Sequence, residues 1–121
     1  MDTNLVLRDG TSDLEADESL TAVQVGPMTQ PMWLHVLVPS ITAADTLDVE
    51  IEFNDDGSTE ICNFNFKQIA AAGHYSEPFF TQHDYILVKL NITDVGGGGF
   101  SSGATKVWIS PASRYTGAYN T

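Results

Sequence analysis

Thr46-Leu47-Asp48-Val49-Glu50-Ile51-Glu52-Phe53-Asn54 is the stretch that decides the fold. Leu47, Val49, Ile51 and Phe53 alternate with Asp48, Glu50 and Glu52. This period of two predicts a strand with one apolar and one acidic face. Asn54-Asp55-Asp56-Gly57-Ser58 follows, and Asp-Gly near its centre is turn chemistry, because glycine adopts positive φ without steric cost. Alternation then resumes, with Cys62, Phe64 and Phe66 on one side and Asn63 and Asn65 on the other. The three pieces predict a β-hairpin.

Outward from the hairpin, further strand signals appear. Met32 to Val38 and Tyr85 to Thr93 are rich in β-branched, aromatic and aliphatic residues, and Ile86, Val88, Leu90 and Ile92 share one face. Leu5 to Leu7, Thr21 to Val25, His74 to Phe80 and Thr105 to Ile109 complete about eight short strands. Helix is reduced to two candidate turns, at Asp13 to Leu20 with Ser12 as cap and at Lys67 to Ala72. The expected architecture is all-β, a single antiparallel β-sandwich over residues 1–121, either a jelly roll or an immunoglobulin-like sandwich. Three segments read as mobile: an acidic arm or loop at about 9–19, the glycine-rich loop Val95 to Gly103, and a polar tail at about 111–121.

The 121 residues carry 16 acids against 5 bases, a formal charge of −11. Arg8, Lys67, Lys89, Lys106 and Arg114 are scattered, so no basic patch for nucleic acid or an anionic membrane is expected. The segment Met1 to Gly10 lacks the basic and apolar regions of a signal peptide, and no apolar run approaches a bilayer span, so synthesis in the cytoplasm is expected. Cys62 is the single cysteine and reads as a small buried hydrophobe.

No constellation for catalysis emerges. His83 and Asp84 are adjacent in an extended stretch and point to opposite sides, so with His74 they read as surface polar residues. His35 lies in an apolar strand and reads as a hydrogen-bonded or edge residue. Asp55-Asp56-Gly57 lacks the twelfth-position Glu and flanking helices of a calcium loop. Gly99-Phe100-Ser101-Ser102-Gly103 matches the letters of a nucleophile elbow, but a strand, not a helix, is expected after it and the last histidine lies upstream. No catalytic residue, cofactor or metal ligand is therefore expected. Trp33, Trp108, Tyr115 and Tyr119 are the aromatics that a sugar-binding face would use, although in a small sandwich such residues more often fill a core or an oligomer interface.

Three segments, in order and spacing, resemble a family of small structural proteins of tailed bacteriophages. They are Asn4-Leu5-Val6-Leu7-Arg8-Asp9-Gly10-Thr11, Leu47-Asp48-Val49-Glu50-Ile51 leading into Asn54 to Thr59, and Phe66 to Gly73 followed by Tyr85 to Lys89. The chain departs from the commoner pattern at Glu60, where that pattern has Trp. The resemblance implies a capsid decoration, or cement, protein on the outer surface of the virion. It also implies the major capsid protein as partner and a homo-oligomer, a trimer by analogy. Leu5, Val6, Leu7 and Arg8, with Arg114, Tyr115 and Tyr119, are the expected contact residues. The alternative is a carbohydrate- or receptor-binding module of a head fibre or tail.

Overall fold

The computed structural model describes residues 5–111. These residues form nine strands and, among them, no helix: β1 (Leu5–Asp9), β2 (Glu18–Ser19), β3 (Val23–Gln24), β4 (Met32–Val38), β5 (Thr46–Asn54), β6 (Cys62–Asn65), β7 (Gly73–Phe79), β8 (Tyr85–Thr93) and β9 (Lys106–Pro111). The order β1-β9-β4-β7 makes one sheet, here sheet A. Sheet B has the order β2-β8-β5-β6, with β3 also on β8. All pairings are antiparallel.

The pairing is nested. β5 meets β6 around the 54–61 turn, β4 meets β7, β2 and β3 meet β8, and β1 meets β9. The chain is thus one long hairpin rolled so that β8 lies on β5 and β9 on β4. That connectivity is a jelly roll, which settles the choice the strand pattern leaves open. β2 and β3 act as one broken edge strand: Ser19 to Val23 takes four steps against three from Lys89 to Ile86, so one extra residue bulges there.

The core lies between the sheets. Leu34, Val36 and Val38 of β4 and Val107 and Ile109 of β9 face Leu47, Val49 and Ile51 of β5 and Ile86, Val88 and Leu90 of β8. Every second residue is inward, as the period-two pattern requires. The hairpin turn is made as its residues dictate: Asn54 Oδ1 accepts from the Gly57 amide at 2.7 Å, and Gly57 has φ +86°. Asp56 accepts from the Thr59 and Ser58 amides, and these bonds hold its carboxyl down at about 2.

Several local expectations fail for tertiary reasons. Neither candidate helical turn forms. Asp13 to Leu20 instead lays Glu18–Ser19 along β8, and Ile69 bridges to Leu47 through paired backbone bonds of 2.9 Å. The acidic 9–19 segment docks, because Leu14 is wholly buried and its amide donates to the Gly103 carbonyl at 2.9 Å. The Val95 to Gly103 loop ends on a buried Phe100, and Asp94 accepts from the Gly97 and Gly99 amides. Cys62 is exposed: β6 is an edge strand whose Phe64 packs against the core only partly buried, while Phe66, beyond its end, is buried in it. The 111–121 tail lies outside the described residues except for Pro111, the last residue of β9.

Leu14 is the single fully buried anchor of its segment, so Leu14→Ala is expected to lower the unfolding free energy by about 2–4 kcal/mol in urea denaturation. A loss below about 0.5 kcal/mol, typical of surface substitutions, contradicts the docked segment.

Candidate functional site

The outward faces of the two sheets differ. On sheet B, β5 turns Asp48, Glu50 and Glu52 outward. Glu52 is nonetheless buried and forms an ion pair with Lys89, which sits opposite Glu50 on β8. Carboxylate oxygens of Glu50, Glu52 and Glu60 lie within 4.8 Å of one another. Lys89 offsets part of this charge, and its own pKa is raised chiefly by the hydrogen bond to Glu52.

Sheet A turns a different set outward. Inward Leu34, Val36 and Val38 leave Trp33, His35 and Leu37 on the other side of β4, and inward Val107 and Ile109 leave Lys106, Trp108 and Ser110 on the other side of β9. His74 and Ser76 come from β7 and Val6 from β1. His35 and Trp108 are cross-strand partners, and their rings stack at 4.9 Å with planes 5° apart. His74 lies 5.3 Å from the Trp108 ring, and the Lys106 ammonium lies 5.4 Å from the indole centre. Val6 and Leu37 remain 46% and 40% exposed on this face.

His35 is 5% exposed, although it points away from the core. Its Nδ1 is 3.0 Å from His74 Nε2 and its Nε2 is 2.7 Å from Ser110 Oγ. Burial first, and the charge of His74 second, push its pKa down to about 4, so the ring is neutral at pH 7. One ring nitrogen then donates and the other accepts. Ser110, His35 and His74 have the connectivity of a nucleophile, base and orienting group. The hydroxyl is buried, with Ser110 2% exposed, and an imidazole of pKa about 4 is a weak base near neutrality. The chain of bonds therefore acts as a polar clasp across β7, β4 and β9.

The expected contact residues fare unequally. Leu5 is exposed on the edge strand β1, Val6 projects outward, and Leu7 packs against the core rim. Arg8 is turned inward. The register shifts between Val6↔Trp108 and Arg8↔Val107, so Leu7 is the extra residue of a bulge and Arg8 follows the inward Val107. Its guanidinium donates to Glu18 Oε1 and Oε2 at 3.0 and 3.1 Å and to the Ser12 and Thr105 carbonyls at 2.8 and 2.7 Å. All four bonds stay within its own chain. Arg114, Tyr115 and Tyr119 lie outside the described residues.

Other motifs resolve into local structure. Ser101 Oγ accepts from the Gly103 amide and a strand, β9, follows, so the Gly-Phe-Ser-Ser-Gly match builds no elbow. Asp55 takes the His83 ring at 3.3 Å and the Asp84 amide at 3.0 Å, tying two loops together. The His35–His74 pairing was invisible in the sequence, since it joins residues 39 apart through the β4–β7 register. Comparison with protein-family models, curated proteins and solved structures yields no match.

Because the His35 pKa falls from its ordinary 6.5 to about 4, the unfolded chain takes up a proton before the folded one as pH drops. Stability is expected to be intact above pH 6.5 and to decline towards pH 4, by up to on the order of 3 kcal/mol from this group. Urea midpoints across this range check it, and His35→Gln should flatten the slope. An NMR titration of His35 with a midpoint near 6.5 contradicts it.

Proposed function

We propose that this chain is a structural binding module that docks through the outer face of sheet A and leaves the acidic face of sheet B in solvent. The observation that carries the reading is the inequality of the two faces. One presents Trp33, Trp108, Leu37 and Val6 with Lys106 over the Trp108 ring, and the other presents Asp48, Glu50 and Glu52. Exposed apolar patches mark surfaces that meet partners, and aromatic residues are enriched at the centres of interfaces.

With the resemblance of three segments to tailed-phage structural proteins, the reading becomes a head decoration, or cement, protein. It binds the major capsid protein on the outer capsid surface, stabilises contacts between capsomers and carries no catalytic function. A jelly roll suits this use, because two sheets packed through one core make a rigid body. The charge of −11 is tolerable on a particle exterior and keeps densely packed copies apart, whereas facing packaged DNA it is repelled. Repetition over a lattice turns modest single contacts into strong retention. Self-association, as a trimer by analogy, uses the same apolar face or the exposed β1 edge.

Copy number in purified particles, counted by quantitative mass spectrometry, tests the reading. Hundreds of copies are expected, and a handful overturns it. Val6→Glu is expected to change stability by less than about 0.5 kcal/mol, since the side chain is 46% exposed, while weakening particle binding at least tenfold. The half-exposed Trp33 and Trp108 favour one second reading, a sugar-binding face on sheet A. Glycan-array binding that disappears in Trp33→Ala, together with low copy number, selects it.

A further inference from the structure

Asp45 lies in the turn that leads into β5, at the end of the sandwich that carries the glycine loop. It is 3% exposed. The Val95 amide donates to its Oδ1 at 2.9 Å, while Oδ2 is buried and has no hydrogen-bond partner among the described residues. It borders a cavity of about 260 Å³ closed by the Thr42–Ala44 turn, Asp94 and the loop glycines Gly96, Gly98 and Gly99. The second carboxylate of that cavity, Asp94, accepts from Gly97 and Gly99 amides at 2.9 Å through Oδ1 and Oδ2 respectively, which leaves each oxygen further lone pairs. Among the described residues, no Lys, Arg or His lines the cavity. The other buried polar atom without a partner among the described residues, Asn54 Nδ2, is a donor on a different end of β5 and does not bear on it.

Placing a carboxylate oxygen in the interior without a donor or a countercharge is costly, and proteins meet that cost with a paired cation or a metal ion. We propose that Asp45 and Asp94 form a binding site for a divalent cation of the calcium class beneath the glycine loop. The side-chain donor set is oxygen only and consists of the two carboxylates, because the Thr42 hydroxyl on the same wall is already bonded to the Ser101 amide and carbonyl. Such a set suits a hard cation and not zinc or copper, which select nitrogen and sulfur. Calcium accepts irregular geometry with six to eight oxygens and fills the remaining positions with water, whereas magnesium demands a near-ideal octahedron. Two carboxylates place the affinity on the order of 10⁻⁴–10⁻³ M, the range of extracellular modules. The bound ion would tie the Asp94–Gly99 loop to the start of β5, joining the β4–β5 and β8–β9 connections at one end of the roll. The cluster of Glu50, Glu52 and Glu60 is not this site: its buried member, Glu52, already has Lys89.

Calcium titration of the full chain, stripped with EDTA, by calorimetry and by thermal melting tests the proposal. Binding in the range above is expected, with the melting temperature raised by roughly 3–6 °C at about ten times Kd. Asp45→Asn and Asp94→Asn should each weaken binding at least tenfold, and Glu50→Gln should leave it unchanged. Should Asp45→Asn fail to fold, Asp94→Asn carries the comparison, because its side chain is at the surface of the loop. No heat and no melting shift up to about 10 mM calcium overturns the proposal. So does a response that persists in both Asp variants, or one that Glu50→Gln removes.

Discussion

The register between β5 and β8 is the constraint on which the rest of the molecule depends. Their pairing runs without interruption from Thr46↔Thr93 to Asn54↔Tyr85. Because side chains alternate strictly, a slip of one residue would exchange Leu47, Val49 and Ile51 with Asp48, Glu50 and Glu52. That exchange would bury three carboxylates against sheet A. The penalty for burying unpaired charge is far larger than any gain from a shifted ladder, so one register is selected. From this pair the nested pattern follows: β6 extends β5 on one side, β2 and β3 extend β8 on the other, and β4 with β9 closes over the apolar face.

The same alternation produces the contrast between the outer faces. Once the inward positions of β4, β7 and β9 are taken by core residues, Trp33, His35, Trp108 and Ser110 can only project outward. There His35 is held neutral by burial first and the charge of His74 second, is bonded to His74 and Ser110, and stacks on Trp108. The result is a face whose central polar groups, His35, His74 and Ser110, bond to one another, which lowers the desolvation cost of covering them. The acidic face of sheet B has the opposite property. Its carboxylates outnumber the cations beside them: Lys89 pairs with Glu52 and Gln68 donates to Asp48, so covering the face would require further positive partners. A module with one face easy to cover and one costly to cover has a preferred orientation on whatever it binds.

Where sequence reading succeeded and where it failed follows from how local each determinant is. The strands at Met32–Val38, Thr46–Asn54 and Tyr85–Thr93 were legible because each carries several alternations of its own. Glu18–Ser19 was not, since a two-residue strand has no period and exists only because β8 offers it an edge. The burial of Arg8 has a similar source. Period two places it outward with Val6, and the bulge at Leu7 that reverses it is visible only in the pairing with Val107. Leu14 and Phe100 sit among acidic and glycine-rich neighbours, and each is drawn into the core by strands distant in the chain. The candidate site was half legible: Trp33 and Trp108 were noticed as aromatics, but their joining with His35 and His74 on one face requires the order β9-β4-β7.

By itself the sequence determined the fold class, the principal strands, the inward residue of each and the turn at Asn54 to Ser58, because all of these depend on near neighbours. It also determined the sign of the surface, since 16 acids against 5 bases leave no arrangement that is basic. The tertiary structure alone decided that the sandwich is a jelly roll, that Arg8 is internal, that two histidines meet across strands, and that Asp45 lies buried beneath a glycine loop. These are matters of which strands become neighbours. That choice is made by the joint burial of side chains far apart in the chain, which no local pattern records.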